Sequence, residues 1–158
     1  MRWIVVLAVL ETGLVAACES AEPPRTQEQE VADASEAYDP AAFDTVRWES
    51  DAAAIERGRD IFKWACAECH GPEGRGDGGR VVDGDTIRPP TFHQEDWPYA
   101  DNPDALHRQV FVGNTLGMPH WGLRQMRPRD VVAVERFIRL DLIQGRGPEG
   151  DTAGAPTG

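Results

Sequence analysis

The chain has 158 residues, 41% of them apolar, which is enough for one globular domain with additional terminal segments. Its net charge of −11 is concentrated in residues 18–45, with eight acidic residues against one arginine, whereas residues 46–143 are nearly balanced, with 16 acidic and 13 basic residues. The domain therefore lacks the basic surface that nucleic-acid binding requires, and we expect no nucleic-acid partner.

Residues 1–17 have the pattern of a bacterial signal peptide. Arg2 precedes an apolar run, and small residues follow as far as Cys18. The run is too short to cross a hydrocarbon core of about 30 Å. Its end, VAAC, resembles a lipobox, so we expect a lipoprotein signal peptide over residues 1–17 and acylation of Cys18. Glu11 departs from that pattern, and a conventional secretory signal or an uncleaved anchor is the alternative.

The segment that follows, residues 18–45, is rich in Glu, Ala, Gln, Ser and Pro. So few large apolar residues bury too little surface to offset the loss of chain entropy. The composition therefore predicts an acidic flexible tether here. The same argument predicts a disordered tail over residues 144–158.

Three amphipathic patterns indicate an all-α domain over residues 46–143. They predict helices over Asp51 to about Cys66, Pro103–Val112 and Pro128–Ile143. Gly58 lies on the apolar face of the first helix, which suggests that another backbone approaches closely there. The remaining residues are long loops rich in Gly, Asp and Pro, and they predict no substantial sheet.

The stretch WACAECHG, residues 64–71, contains the sequence Cys-x-x-Cys-His. A zinc site needs four ligands, and there is no second Cys-x-x-Cys to complete one. A redox-active dithiol needs a preceding strand, whereas a helix precedes these cysteines. Covalent haem attachment fits, because Cys66 and Cys69 lie one helical turn apart and His70 follows to bind iron. One haem c would also fill the small core that three modest helices leave.

The second axial ligand of such an iron is best supplied by Met118. It lies in GNTLGMPHWG, where glycines flank it and Pro119 restricts the backbone. A thioether ligand raises the reduction potential relative to a second histidine. The other residues able to bind iron are predicted to do other things: His120 at the surface or beside the ligands, His107 exposed or lightly packed, His93 solvated or hydrogen-bonded, and Met126 core or surface filler.

At this point the chain resembles the class I mono-haem cytochromes c of the bacterial periplasmic or lipoprotein type. The resemblance covers about residues 50–143 and rests on GRDIF, CAECHGPEGRGDGG, RPPTF, GMPHW and RDVVAVERFIRL. It implies the cytochrome c fold, three main helices and long loops around one covalent haem. It also implies that Gly58 packs against Phe137, that the carbonyl of Pro89 or Pro90 accepts a hydrogen bond from His70, and that Trp121 lies along the haem edge. Simple core packing is an equal alternative for Trp121.

A haem with His and Met ligands has no open coordination position, which favours electron transfer over catalysis. We expect a carrier lipid-anchored at the periplasmic or extracytoplasmic face. It would shuttle electrons from a quinol-oxidising respiratory complex to a terminal oxidase or reductase. Two alternatives stay open: a fixed cytochrome subunit of a larger respiratory or dehydrogenase complex, and a haem sensor or enzyme with a labile sixth ligand.

Three arginines, Arg124, Arg127 and Arg129, follow the Met118 loop. They predict a local positive patch for an acidic redox partner. Solvated arginines at a helix entry are the alternative.

The first prediction concerns folding. Because haem binding contributes its free energy only to the folded chain, the haem-free chain should be largely unfolded. The double variant Cys66→Ala, Cys69→Ala should show no cooperative thermal transition when helix content is followed by circular dichroism. A transition like that of the haem-loaded parent would contradict this dependence.

Overall fold

The computed structural model describes residues 24–82 and 84–145, and within these ranges the chain is mainly helical. The predicted signal peptide, Cys18 and residues 146–158 of the predicted tail lie outside the described residues. No helix within the described ranges is long and apolar enough to span a membrane. The elements in chain order are α1 (Gln27–Ala37), α2 (Ala41–Asp44), α3 (Asp51–Ala65), α4 (Ala67–His70), β1 (Arg80–Val82), β2 (Asp85–Ile87), α5 (Pro103–Val112), a 3-10 turn (Trp121–Leu123), α6 (Pro128–Arg136) and a π-helix (Phe137–Ile143).

The predicted first and second helices are confirmed as α3 and α5. Ser50 Oγ accepts a hydrogen bond from Ala53 N at 3.1 Å, and Asn102 Oδ1 accepts one from Ala105 N at 3.0 Å. Both side chains satisfy amides in the first turn of a helix, where there is no backbone partner. These caps fix where each helix begins.

The third predicted helix begins at Pro128 as expected but changes its winding part-way. Residues Pro128–Arg136 are α-helical, and Phe137–Ile143 continue as a π-helix. Asp130 closes the first turn, since its carboxylate accepts from Arg127 N at 3.3 Å and from Arg57 Nη2 at 2.9 Å. Burial alone would favour the neutral acid, but the Arg57 guanidinium and the backbone amide hold the pKa of Asp130 below its usual value.

Helices α3 and α6 cross at Gly58. A Cβ at this position would overlap the carbonyl of Ala133 and would lie 2.8 Å from Phe137 Cβ. The predicted packing of Gly58 against Phe137 is therefore confirmed. The ring of Phe137 also lies 5.3 Å from that of Phe62, so the crossing is sealed by aromatic side chains.

The flexible tether predicted over residues 18–45 is wrong from Thr26 onward. Thr26 and Gln29 form a capping box at the start of α1, and Ala34 is fully buried against the domain. Phe43 of α2 is also buried, and its ring stacks on His107 with centroids 5.0 Å apart. The small apolar residues of this acidic segment bury enough surface to hold it in place.

His107 is consequently buried, not exposed or lightly packed as predicted. Its Nε2 lies 3.6 Å from Glu135 Oε2, and Arg139 Nη1 donates to Glu135 Oε1 at 2.6 Å. Burial opposes the charge on Glu135, but the neighbouring His107 and Arg139 outweigh it and keep the pKa of this carboxyl below its usual value. These contacts of Glu135 connect α6 to His107 on α5 and to Arg139 in the π-helix.

The two strands form an antiparallel hairpin with Arg80 opposite Ile87. It is the one sheet in the part of the chain that the structure describes. Gly79 N donates to Glu68 O at 2.8 Å, so the hairpin starts directly beside α4. The all-α fold class is confirmed, with the hairpin as a local addition.

The next prediction concerns the helix crossing at Gly58. The sign of the stability change in Gly58→Ala distinguishes close backbone packing from an unconstrained helical site. Gly58→Ala should lower the free energy of unfolding by about 1–3 kcal/mol, because the added methyl group collides with the Ala133 carbonyl. At an unconstrained helical site the same change would raise that free energy by about 1 kcal/mol.

Denaturant unfolding of the haem-loaded protein measures the difference. Glu56→Ala, at an exposed position of the same helix, is the matched control and should change stability by less than about 0.5 kcal/mol. Stabilisation by Gly58→Ala would contradict close backbone packing at this crossing.

Candidate haem site

The Cys66–His70 segment forms one tight helical turn at the end of α3. Cys66 is the C-terminal cap residue of α3 and the N-terminal cap residue of α4. Its carbonyl accepts from Cys69 N at 3.1 Å and from His70 N at 2.9 Å. Both cysteines are free thiols. The helix thus ends in a turn that carries two thiols, Cys66 and Cys69, and an imidazole, His70, within five residues.

The electrostatics of this turn disfavour a redox dithiol. Burial raises the pKa of the Cys66 thiol to about 12, and burial together with Glu68 raises the pKa of Cys69. A dithiol oxidoreductase needs a thiol whose pKa is lowered instead. Burial also lowers the pKa of His70 to about 4, so its imidazole is neutral at physiological pH. A neutral imidazole keeps a free nitrogen lone pair for a metal.

The described residues contain no group of three or more His, Cys, Asp or Glu side chains arranged to hold a metal ion. A structural zinc site would need such a group, with four ligands around the ion. The geometry therefore gives no support to the zinc alternative at this turn.

The His70 ring lies against Phe92, with centroids 4.6 Å apart, and its Nδ1 is buried without a hydrogen-bond partner. The predicted bond to the carbonyl of Pro89 or Pro90 is therefore absent from this structure. The Pro89 carbonyl instead lies against the backbone of Gly76, where a Cβ would collide with it. The Pro89 carbonyl thus faces Gly76, and the contact with Phe92 positions the imidazole of His70.

Met118 lies in a loop that Asn114 closes. The side-chain oxygen of Asn114 accepts from Leu116 N at 2.9 Å and from Met118 N at 3.2 Å. The backbone N–H of Asn114 donates to Met118 O at 3.1 Å. Gly113 and Gly117 both have positive φ, at 71° and 110°. Asn114 therefore fixes the backbone on both sides of Met118.

The thioether of Met118 is also held. Gln109 Nε2, on α5, lies 3.2 Å from the Met118 sulfur as a hydrogen-bond donor. The Gln109 carboxamide oxygen accepts in turn from Tyr99 Oη at 3.1 Å. This chain of bonds orients Gln109, so that the donor faces the sulfur.

Two contacts link the segments next to the attachment turn and the Met118 loop. Trp64, two residues before Cys66, packs edge-on against Trp121, three residues after Met118, with ring centroids 5.7 Å apart. Ile87 of the hairpin, which starts beside α4, lies against Gly117, where a Cβ would overlap its side chain. The segments that flank the predicted haem-binding residues are therefore in contact.

The other residues considered as axial ligands are occupied elsewhere. Arg124 Nε donates to His120 Nε2 at 3.1 Å, and His93 Nε2 lies 2.7 Å from the Glu73 carbonyl. Met126 is buried in the core, as predicted for a filler residue. His107 is stacked on Phe43.

The three arginines after the loop do not form a positive patch. Arg124 pairs with Glu30 at 3.1 Å, and Arg129 pairs with Glu49 at 3.3 Å. Arg127 lies 3.5 Å from Asp130. Each guanidinium has a carboxylate neighbour, although Asp130 also pairs with Arg57. Two of these acids, Glu30 and Glu49, come from residues before α3, and they reduce the positive charge of this surface.

Residues 53–138 match the family of cytochrome c oxidase, cbb3-type, subunit III. This region holds the Cys-x-x-Cys-His turn, the Met118 loop and the crossing of α3 with α6. The chain belongs to this cytochrome c family. Membership implies a covalently bound haem c, and this cytochrome is accordingly a haem electron-transfer protein of the class I mono-haem type.

One curated relative of this cytochrome is the cbb3-type cytochrome c oxidase subunit CcoP of Azospirillum sp. (strain B510). The two are 31% identical over 75 residues, which are 48% of this chain and 25% of the relative. The similarity therefore spans about a quarter of the relative's length. No solved structure matches the chain significantly.

The residues of this cytochrome fit a c-type haem by their chemistry. Cys66 and Cys69 are unpaired thiols one helical turn apart, and His70 is a neutral imidazole with a buried Nδ1 that no described group satisfies. Met118 offers a sulfur that is already oriented by Gln109. Each donor is of the type that a c-type haem requires.

Sequence reasoning missed two groups of residues around Met118. Nothing in the sequence marks Gln109 as a contact of Met118, since glutamine is common in amphipathic helices. Gln27 contacts the loop from α1, and Glu30 contacts Arg124 just beyond it. Gln27 lies within the capping-box signature T-x-x-Q at Thr26–Gln29, and Glu30 directly follows it. That signature predicts a helix start and contradicts a wholly flexible segment.

Proposed function

We propose that this cytochrome is a single-haem electron carrier with Cys66 and Cys69 as thioether links and His70 and Met118 as axial ligands. The observation that carries the proposal is the pairing of a half-buried Cys-x-x-Cys-His turn with a methionine loop whose sulfur is held by Gln109. The sequence contains only one Cys-x-x-Cys-His, which supports one haem per chain.

Bound haem c supplies reversible one-electron chemistry, and axial methionine favours its ferrous state. The residues of the chain then have separate tasks. Cys66 and Cys69 fix the position of the group, Phe92 orients His70, and Gln109 sets the direction of the Met118 sulfur. A site with both axial positions filled admits no substrate, which favours transfer of electrons over catalysis.

Trp121 is proposed to line the haem edge together with Trp64. The two indoles contact each other edge-on, with ring centroids 5.7 Å apart. Trp121 is partly buried and Trp64 is 57% exposed, so the pair lies where the site meets solvent, as a residue at a haem edge would.

Visible and near-infrared spectroscopy with redox titration tests the ligand assignment. The parent should show a thioether-to-iron charge-transfer band. Met118→Ala should lose this band, lower the reduction potential and let the ferrous form bind carbon monoxide, because the sixth position opens. Met126→Leu, which alters the buried core methionine, is the matched control and should keep all three properties of the parent. Retention of the band in Met118→Ala would overturn the assignment.

For partners, we propose a quinol-oxidising complex as donor and a terminal oxidase or reductase as acceptor. The family and the relative both belong by name to a cbb3-type cytochrome c oxidase, which supports the oxidase as acceptor. We also propose that Cys18 is acylated and places the domain at the extracytoplasmic membrane surface.

A fixed oxidase subunit is the second candidate, and the position of α1 favours it. Only seven residues, 19–25, separate Cys18 from Thr26, where the helix cap begins. Even fully extended, they span roughly 25 Å. With a lipid on Cys18 the domain would stay close to the membrane, which suits a fixed subunit better than a carrier on a long tether.

Extraction with mild detergent separates the two candidates. A free carrier should purify as a monomer, whereas a fixed subunit should co-purify with oxidase activity. Labelling with a radioactive fatty acid should mark the parent and not Cys18→Ser. Labelling of that variant would contradict the lipid anchor, and release of the domain without detergent would contradict membrane attachment of either kind.

A further inference from the structure

Helix α1 lies before the family match, which begins at residue 53, and yet it contacts the Met118 loop. Gln27 Nε2 donates to Asn114 O at 2.9 Å and to Met118 O at 3.2 Å. Both bonds are partly buried and join residues 87 and 91 positions apart in the chain. One carboxamide thus holds the first and last residues of the loop that Asn114 closes.

Glu30 holds the segment just beyond the loop. Its Oε2 accepts from Arg124 Nη2 at 3.1 Å and lies 3.4 Å from His120 Nδ1. Arg124 also donates to His120 Nε2, so these three side chains form one cluster. Gln27 and Glu30 are three residues apart and therefore lie on the same face of α1.

The rest of α1 is attached to the domain independently of the loop. Ala34 is fully buried, and Val31 packs against the core. Arg108 of α5 donates to Ser35 Oγ at 2.8 Å. These contacts seat the helix, so Gln27 and Glu30 act from a fixed support and not from a mobile segment.

We propose that α1 is a clamp on the Met118 loop, with Gln27 as a positioning residue for the sixth haem ligand. The inference rests on the proposed ligand role of Met118. Opening the loop to release the sulfur from iron would separate Met118 O and Asn114 O from Gln27. The clamp therefore lowers the population of the open loop and protects the sixth position from external ligands.

Imidazole binding to the ferric haem-loaded protein measures this population, since imidazole displaces the thioether only when the loop opens. Gln27→Ala removes two hydrogen bonds and should tighten imidazole binding by about 5- to 30-fold. Glu28→Ala, which changes an exposed residue of the same turn, is the matched control and should bind imidazole like the parent.

Hydrogen–deuterium exchange of the backbone amides gives a readout independent of the ligand. In Gln27→Ala the amides of residues 114–118 should exchange faster by a similar factor, while those of α5 and α6 stay unchanged. Equal acceleration in the loop and in α6 would mean general destabilisation and would overturn the clamp. Unchanged imidazole affinity together with unchanged loop exchange would also overturn it.

The same measurements separate failure of the clamp from failure of the ligand assignment. If Met118 does not bind iron, the parent lacks the charge-transfer band and the imidazole affinity is equal in all variants. In that case, hydrogen–deuterium exchange of the loop amides in Gln27→Ala still tests the clamp. Faster exchange confined to residues 114–118 supports the clamp, and unchanged exchange overturns it.

Discussion

The backbones of α3 and α6 touch at Gly58, where the carbonyl of Ala133 lies in the space that any side chain would need. This contact sets the direction of α3, and the direction of α3 sets where Cys66 and the following turn emerge. Phe62, on the same helix face, meets both Phe137 and Phe92. Phe92 in turn lies against His70. The position of the attachment turn thus follows from one close backbone approach through a short series of aromatic contacts.

The two sides of the haem site are held by different means. On the histidine side, a regular helix ends in the attachment turn, and packing of apolar rings fixes the imidazole. On the methionine side there is no regular element, and hydrogen bonds do the work: Asn114 closes the loop, Gln109 faces the sulfur, and Gln27 holds the carbonyls. A loop held by a few hydrogen bonds opens more readily than a helix end held by packing.

Most of the fold and the attachment turn could be predicted because their signals are local. Apolar spacing with Ser50 and Asn102 as caps predicted α3 and α5, and the cysteine spacing predicted the turn. The segment before residue 46 was judged by average composition, which hid the capping box at Thr26. That one error also led to the wrong prediction for His107, since its partner Phe43 comes from the same segment. The predicted hydrogen bond from His70 to the carbonyl of Pro89 or Pro90 is absent, and the path of a glycine-rich loop has no periodic pattern from which to predict it.

Helix α1 begins beside the methionine loop, and only seven residues, 19–25, separate its cap Thr26 from the proposed lipid at Cys18. Acylation of Cys18 would therefore limit how far the start of α1 can lie from the bilayer. The Met118 loop, which Gln27 contacts, would be kept near the membrane by the same short linker. Any force on the anchor would pass through Thr26 and Gln27 before it reached the rest of the domain. The first turn of α1 would then connect the membrane anchor to the loop that carries Met118, the proposed iron ligand.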